Sequence, residues 1–290
     1  MRPLFARLTV AGVGLVGGSL GGAVRAARLA REVIGFGRSL ANLRVAHERG
    51  LVDRVTQDPA EAVADAEVIV LAAPVGACTA LAERFRTHAR AGTILTDVGS
   101  VKAGLVNDLE ARWSGIGPVV GGHPIAGSES AGASAARIDL FRGRRCILTP
   151  TPTTDATALA RVRALWEGIG ARVEEMSPTV HDEVLARVSH LPHLVASALA
   201  AAVDRTEVGG RLVLDYAGTG FRDTTRIAGS SAELWRDIVL ANAPALVAAL
   251  GEFRTVLDRL ERAIVTDDAA GLEAALAAAQ AVRRRLGRTE

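Results

Sequence analysis

Four short runs carry the side chains that could do chemistry. Asp97-Val-Gly-Ser100-Val-Lys102 offers a carboxylate, a hydroxyl and an ammonium. Gly121-Gly-His123-Pro124-Ile-Ala-Gly127-Ser128-Glu129 places an imidazole, which can accept a proton near neutral pH, close to another carboxylate. Ser189-His190-Leu-Pro-His193 adds two more imidazoles, and Gly220-Phe-Arg222-Asp223-Thr-Thr-Arg226 adds planar guanidiniums suited to gripping a carboxylate with two hydrogen bonds. Taken singly, the last two runs suit core packing and a structural salt bridge equally well. Ahead of them all lies Gly12-Val-Gly14-Leu15-Val16-Gly17. In this spacing the first glycine permits a tight turn and the second lets a diphosphate approach the backbone. The third allows a helix to pack closely on its strand.

The glycine run follows an apolar β-branched stretch and opens a helical one, the context a dinucleotide site requires. About twenty residues past Gly17, such folds often carry an acid that holds the adenosine ribose hydroxyls. Here the segment Glu32-Val-Ile-Gly-Phe36 leads into Gly37-Arg38-Ser39, so the acid is missing and a guanidinium stands in its place. A 2′-phosphate would be accommodated there, and NADP⁺ is expected over NAD⁺. Arg38 stacked on the adenine face would suit either cofactor.

Between residues 7 and 150, short apolar runs alternate with Ala/Arg-rich helical stretches. Strands are expected at Leu8–Val13, Glu32–Phe36, Val68–Ala72, Thr93–Asp97, Val119–Gly121, Cys146–Thr149 and Ala171–Glu175. Helices are expected at Leu40–Arg49, Val75–Ala89 and Thr154–Ile169. This alternation predicts an α/β fold with a doubly wound, parallel, Rossmann-type sheet. The motifs at Ala73-Pro74, Ser100 and His123 fall at carboxyl ends of strands, where an open sheet binds ligands, so a His, a Ser and a Lys would meet near a nicotinamide. From Pro178 onward only helical spacing remains, at Val184–Val203, Leu234–Val265 and Ala269–Arg285. The expected division is a dinucleotide-binding domain over 1–177 and an all-helical substrate and dimerisation domain over 178–290. Its long Ala/Leu faces predict a homodimer.

The 290 residues carry 34 Lys and Arg against 32 Asp and Glu, a balance that argues against nucleic acid as the main partner. All but one of those cations are arginine, and the exception is Lys102. A position needing a compact ammonium would resist replacement by the larger guanidinium; chance survival is the plain alternative. Two cysteines, Cys78 and Cys146, are too few for a disulfide framework or a thiolate metal site, which suggests a reduced, cytoplasmic setting. The apolar stretch Leu8–Val24 follows Arg2 and Arg7 but is interrupted by patterned glycines, unlike a signal peptide. With no other continuous apolar run of membrane-spanning length, no membrane association is expected. The terminal Arg283–Arg285 and Arg288 read as a solvated helix end or, less simply, a basic patch.

Together the runs GVGLVGGS at 12–19, TDVGSVK at 96–102, GGHPIAGSE at 121–129, SHLPH at 189–193 and FRDTTRIA at 221–228 resemble the prephenate/arogenate dehydrogenase family of tyrosine biosynthesis, from residue 8 to about 260. The resemblance is to the monofunctional form. It implies oxidative decarboxylation of prephenate to 4-hydroxyphenylpyruvate with hydride passing to NAD(P)⁺, and no metal. It implies His123 as the base on the substrate hydroxyl, with Ser100 bonded to that hydroxyl or to the nicotinamide. Arg226 would hold the ring carboxylate and His193 would lie near the substrate side chain. Glu129, Arg222 and Asp223 would form an ionic cluster at the pocket mouth, His190 would be structural, and Trp235 would lie near a dimer contact or pack in the core. Gly12, Gly14, Leu15, Val16, Gly17, Gly37, Arg38, Ser39, Pro74 and Lys102 would hold the cofactor, Lys102 near the nicotinamide or its ribose. His193 favours prephenate over arogenate as substrate. β-Hydroxyacid-type dehydrogenases resemble one another in a catalytic lysine past the domain boundary, and none follows Lys102 here. A nucleotide-sensing regulator would need no convergent His, Ser and Arg.

Overall fold

In the computed structural model, residues 3–127 and 130–286 are described. Residues 1–242 form one compact unit and 243–290 a second. In the first unit the strands are β1 (Phe5–Ala11), β2 (Ala30–Phe36), β3 (Arg54–Thr56), β4 (Val68–Leu71), β5 (Ile94–Asp97), β6 (Val119–Pro124), β7 (Arg145–Thr149) and β8 (Arg172–Glu175). They make a single sheet in the order β3-β2-β1-β4-β5-β6-β7-β8. Neighbouring residues of a strand point to opposite faces. Leu8, Val10, Val68 and Val70 accordingly enter one core, with Phe5, Phe141 and Trp166. Ala11, Ile69 and Leu71 enter the other, with Phe85 and Trp113. Burial on both faces explains why these strands read as continuous apolar runs rather than alternating ones.

Helices α1 (Leu15–Ala26), α2 (Leu40–Glu48), α3 (Pro59–Val63), α4 (Val75–Arg86), α5 (Ala103–Trp113) and α6 (Ala156–Gly168) connect the strands. Strand β1 pairs in parallel with both β2 and β4, so the chain's winding reverses beside it and opens a crevice at the carboxyl ends. The sheet is mostly rather than wholly parallel. The pair β6·β7 is antiparallel, with His123 opposite Ile147; among its described residues the connection from 125 to 144 holds a short 3₁₀ turn and no crossover helix. Strand β3 and helix α3, of three and five residues, are too short to show a periodicity.

Beyond the sheet, α7 (Pro178–Leu185), a π-helical turn (Ala186–His190) and α8 (Leu191–Val203) form one continuous helical run. Pro192, with no N–H to offer the preceding turn, follows the π-helical turn and does not break the run. By length and composition this run could cross a membrane. Its buried His181, Asp182 and His190 instead bond to groups of the sheet and to Asn242. A tiny hairpin, Glu207–Val208 with Arg211–Leu212 around a Gly-Gly turn, departs from the purely helical expectation. Helices α9 (Thr219–Thr225) and α10 (Ala232–Ala241) complete the unit.

The expected helix Leu234–Val265 is interrupted at Asn242, with Pro244 in the first turn of α11 (Ala243–Val265). Helices α11 and α12 (Ala269–Leu286) make up the second unit. The expected boundary at Ser177–Pro178 marks the start of α7, where Ser177 Oγ accepts the Val180 N–H. By compactness, residues 178–242 belong with the sheet.

Candidate active site

On the cofactor side, Gly12 turns the chain out of β1 with φ +107°, and a Cβ there would lie 2.2 Å from the Ala72 carbonyl oxygen. A Cβ on Gly17 would lie 1.9 Å from the Gly12 carbonyl oxygen, so α1 reaches the sheet only because this residue is glycine. Nothing lies within 4 Å of the place a Gly14 Cβ would occupy. No side chain caps α1, so the N–H groups of Leu15, Val16 and Gly17 begin a helix terminus of positive potential. These are the features a diphosphate needs. The cavity in front of them measures about 980 Å³ and is lined by Gly12, Gly14, Gly37, Arg38, Ser39 and Pro74, among others. The residues present fit a bound dinucleotide.

At the β2 end, Ser39 Oγ accepts the Asn42 N–H at 3.2 Å and caps α2, while its own hydrogen is available to a ligand. Arg84, which the motif reading missed, lines the same cavity with its guanidinium 5.5 Å from the Phe36 ring centre. Helix periodicity places Arg84 on α4, but only the fold brings it to the cavity that Arg38 lines.

His123 lies in β6, next to β5 and its Asp97–Lys102 loop. Its Nδ1 lies 2.8 Å from Nε2 of His181, whose Nδ1 lies 2.8 Å from Asp182 Oδ1. His181 was not singled out in the sequence, where the available signal was a His-Asp pair in the first turns of a helix. Burial first, then the charges of His181, Lys102 and His190, hold His123 well below the ordinary histidine range. Its ring is therefore neutral at pH 7 and able to accept a proton. Burial likewise lowers His181 and His193, and it pushes His190 down to about 4.

Lys102 departs from the expected cofactor contact. Its side chain is completely buried, bonded to Asp97 and, at 2.9 Å, to the Gly122 carbonyl oxygen beside His123. Asp97 also accepts N–H groups from Gly99 at 2.8 Å and Gly122 at 3.2 Å. The sole lysine thus fastens β5 to β6 instead of facing the cleft, because its stem runs inward. Ser100 is half-buried on the same loop.

A second cavity, of about 280 Å³, is lined by His193, Ser197, Ser230, Trp235 and Arg236. His193 stacks on Trp235, with ring centres 3.5 Å apart and planes 10° from parallel, and its buried Nδ1 has no hydrogen-bond partner among the described residues. Arg236 lines both cavities, so the two adjoin. Its guanidinium is held by Asp237 Oδ1 at 2.7 and 2.9 Å. His190 is buried with its Nδ1 3.0 Å from Asn242 Nδ2. Arg222, Asp223 and Arg226 are exposed along α9 and the turn after it, and none of the three lines either cavity. Glu129, with Ser128, lies outside the described residues.

Residues 20–175 match the family model for the prephenate dehydrogenase nucleotide-binding domain, and 177–278 that for the prephenate dehydrogenase dimerization domain. The chain is 36% identical to a cyclohexadienyl dehydrogenase of Zymomonas mobilis over 91% of its length and 90% of that protein's. Two solved structures, each 33% identical, are also similar. The prephenate dehydrogenase of Aquifex aeolicus in complex with hydroxyphenyl propionate and NAD⁺ has a TM-score of 0.92, with 97% of this chain and 98% of that one covered. The arogenate dehydrogenase of Synechocystis has a TM-score of 0.84, with 97% and 99% covered. A neutral buried histidine near the carboxyl end of β6, and a glycine loop fit for a dinucleotide, are thus found on a chain similar to these enzymes throughout, and the chain belongs to the prephenate dehydrogenase family of NAD(P)-dependent oxidoreductases.

Proposed function

We propose that this enzyme oxidises prephenate and releases carbon dioxide to give 4-hydroxyphenylpyruvate. The observation that carries the reading is His123, buried near the carboxyl end of β6 with its Nδ1 bonded to His181 and its ring held neutral by burial. Bound NAD(P)⁺ supplies the hydride acceptor. His123 takes the proton of the ring hydroxyl, so that the oxidised ring carbon becomes a carbonyl without a strong base in solution. Ser100 bonds the same hydroxyl and aligns it. Arg226 binds the ring carboxylate, which leaves as carbon dioxide once the ring is a vinylogous β-keto acid. His193, whose Nδ1 has no partner among the described residues, contacts the pyruvyl side chain. Arg222 and Asp223 gate the mouth of the pocket.

We assign residues 1–177 to cofactor binding and 178–290 to substrate binding and dimerisation. The second compact unit supports the dimer. Val256, Ile264 and Val265 of α11 and Leu276 of α12 are each more than half exposed, and α12 has no buried residue. A cytoplasmic setting agrees with two buried free thiols, of which Cys78 is pushed up to about 12 by burial.

NADP⁺ is the preferred cofactor in this reading. Gly37 brings no charge to repel a 2′-phosphate, and Arg38 and Arg84 both line the cleft. A Cβ at Gly37 would meet the Leu43 side chain at 3.3 Å, so Gly37→Asp needs a shift of a few tenths of an ångström and no backbone strain.

Four outcomes check this account. His123→Asn keeps a polar group but cannot take the proton; its kcat should fall by about a hundredfold or more with cofactor affinity unchanged, and a loss below about tenfold would refute the assignment. Prephenate and arogenate, each crossed with NAD⁺ and NADP⁺ and followed by reduced-nicotinamide absorbance, should give the highest kcat/KM for prephenate with NADP⁺. Gly37→Asp should move preference toward NAD⁺. A wild-type preference for NAD⁺ of about tenfold, roughly 1.4 kcal/mol, would overturn the cofactor reading, and a preference for arogenate the substrate reading. Light scattering should give the mass of a dimer, and a monomer at micromolar concentration would contradict the interface.

A further inference from the structure

Three buried groups, Asp182, His181 and His123, form a directional chain. Asp182 Oδ1 accepts the backbone N–H of Lys102 at 2.8 Å, and Oδ2 accepts that of Ala103 at 2.8 Å. The carboxylate thereby caps the N-terminus of α5, which has no cap from its own side chains. It is 5% exposed and His181 is 0% exposed, so neither finds a substitute partner in water. A carboxylate that already accepts two backbone hydrogens has none to give. The hydrogen between Asp182 and His181 therefore sits on His181 Nδ1, at 2.8 Å. In a neutral ring that leaves His181 Nε2 with a lone pair, which can only accept. The hydrogen in the next 2.8 Å contact must then sit on His123 Nδ1.

We propose that Asp182, acting through His181, fixes His123 in the tautomer whose Nε2 carries the lone pair, making both of them positioning residues for the base. The catalytic consequence rests on the reading of His123 as proton acceptor; the tautomer itself does not. In the other tautomer Nε2 would carry a hydrogen and could not receive one from a substrate hydroxyl. Once Nε2 is protonated, the new imidazolium keeps its Nδ1 hydrogen bond to His181, with the Asp182 carboxylate at the far end of the chain. His190 provides an internal contrast. Asn242 Nδ2 donates both to the Asp182 carbonyl oxygen at 2.9 Å and to His190 Nδ1 at 3.0 Å. His190 therefore holds its hydrogen on Nε2, the reverse of His123 and His181.

Long-range ¹H–¹⁵N spectra of the histidine rings in the full-length protein at neutral pH read this directly, with peaks assigned from His123→Gln, His181→Gln and His190→Gln. The expected result is pyrrole-type Nδ1 and pyridine-type Nε2 for His123 and His181, and the opposite for His190. His181→Phe keeps a flat ring and leaves the Asp182 caps in place. It should give His123 a mixed tautomer and lower kcat by about tenfold or more, with KM for prephenate within about twofold. A hydrogen on His123 Nε2 in the wild type overturns the proposal, as does a His181→Phe protein with an unchanged His123 spectrum and kcat. Failure of the wild type to turn over prephenate would count against the proposed substrate alone, since the wild-type spectrum is read without it.

Discussion

One buried ammonium holds the site together. Lys102 lies between the carboxylate of Asp97 at the end of β5 and the carbonyl of Gly122 in β6, the residue before His123. Taking two charges out of water is costly, and the cost is offset only when the remaining bonds of both partners are made. Here they are: Asp97 takes two backbone hydrogens besides the ammonium, and Lys102 passes its backbone N–H to Asp182. The arrangement ties the strand that carries His123 to its neighbour, and ties both to α7. Two carboxylates, one on either side of α5, thus set the position of one histidine.

The same burial sets the electrostatics. Four histidines, of β6, α7, the π-helical turn and α8, lie in surroundings that disfavour the charged ring, each lowered chiefly by desolvation. A neutral imidazole is the useful form for accepting a proton at pH 7. The cost shows in groups left without partners. His193 Nδ1 is buried and unpaired among the described residues, a loss of about 1–3 kcal/mol that a ligand's donor or acceptor would recover. It stacks on Trp235, and both rings line the small cavity.

Much of this is legible in the residues. Glycine spacing after an apolar run located the dinucleotide loop, since only glycine tolerates the contacts at Gly12 and Gly17. The lone lysine in an arginine-rich chain drew attention to residue 102, which is a buried ammonium between Asp97 and Gly122. What spacing could not give was direction. Lys102 lies near Ser100 in sequence, yet its stem turns into the core, where Asp97 and Gly122 await it. The antiparallel pairing of β7 with β6, and that of His181 with His123 across 58 residues, are closed only by folding. Such long-range pairs leave no local pattern.

The central claim is that a compact ammonium, and not simply a positive charge, is required between β5 and β6. Urea unfolding of Lys102→Arg tests it most directly. Lys102 is among the largest fully buried side chains, and a planar guanidinium in its slot would overpack it and lose the point contact with Gly122. The account predicts that the sheet-containing unit loses about 1–3 kcal/mol or more of stability. A Lys102→Arg protein that unfolds at the wild-type urea concentration would contradict it.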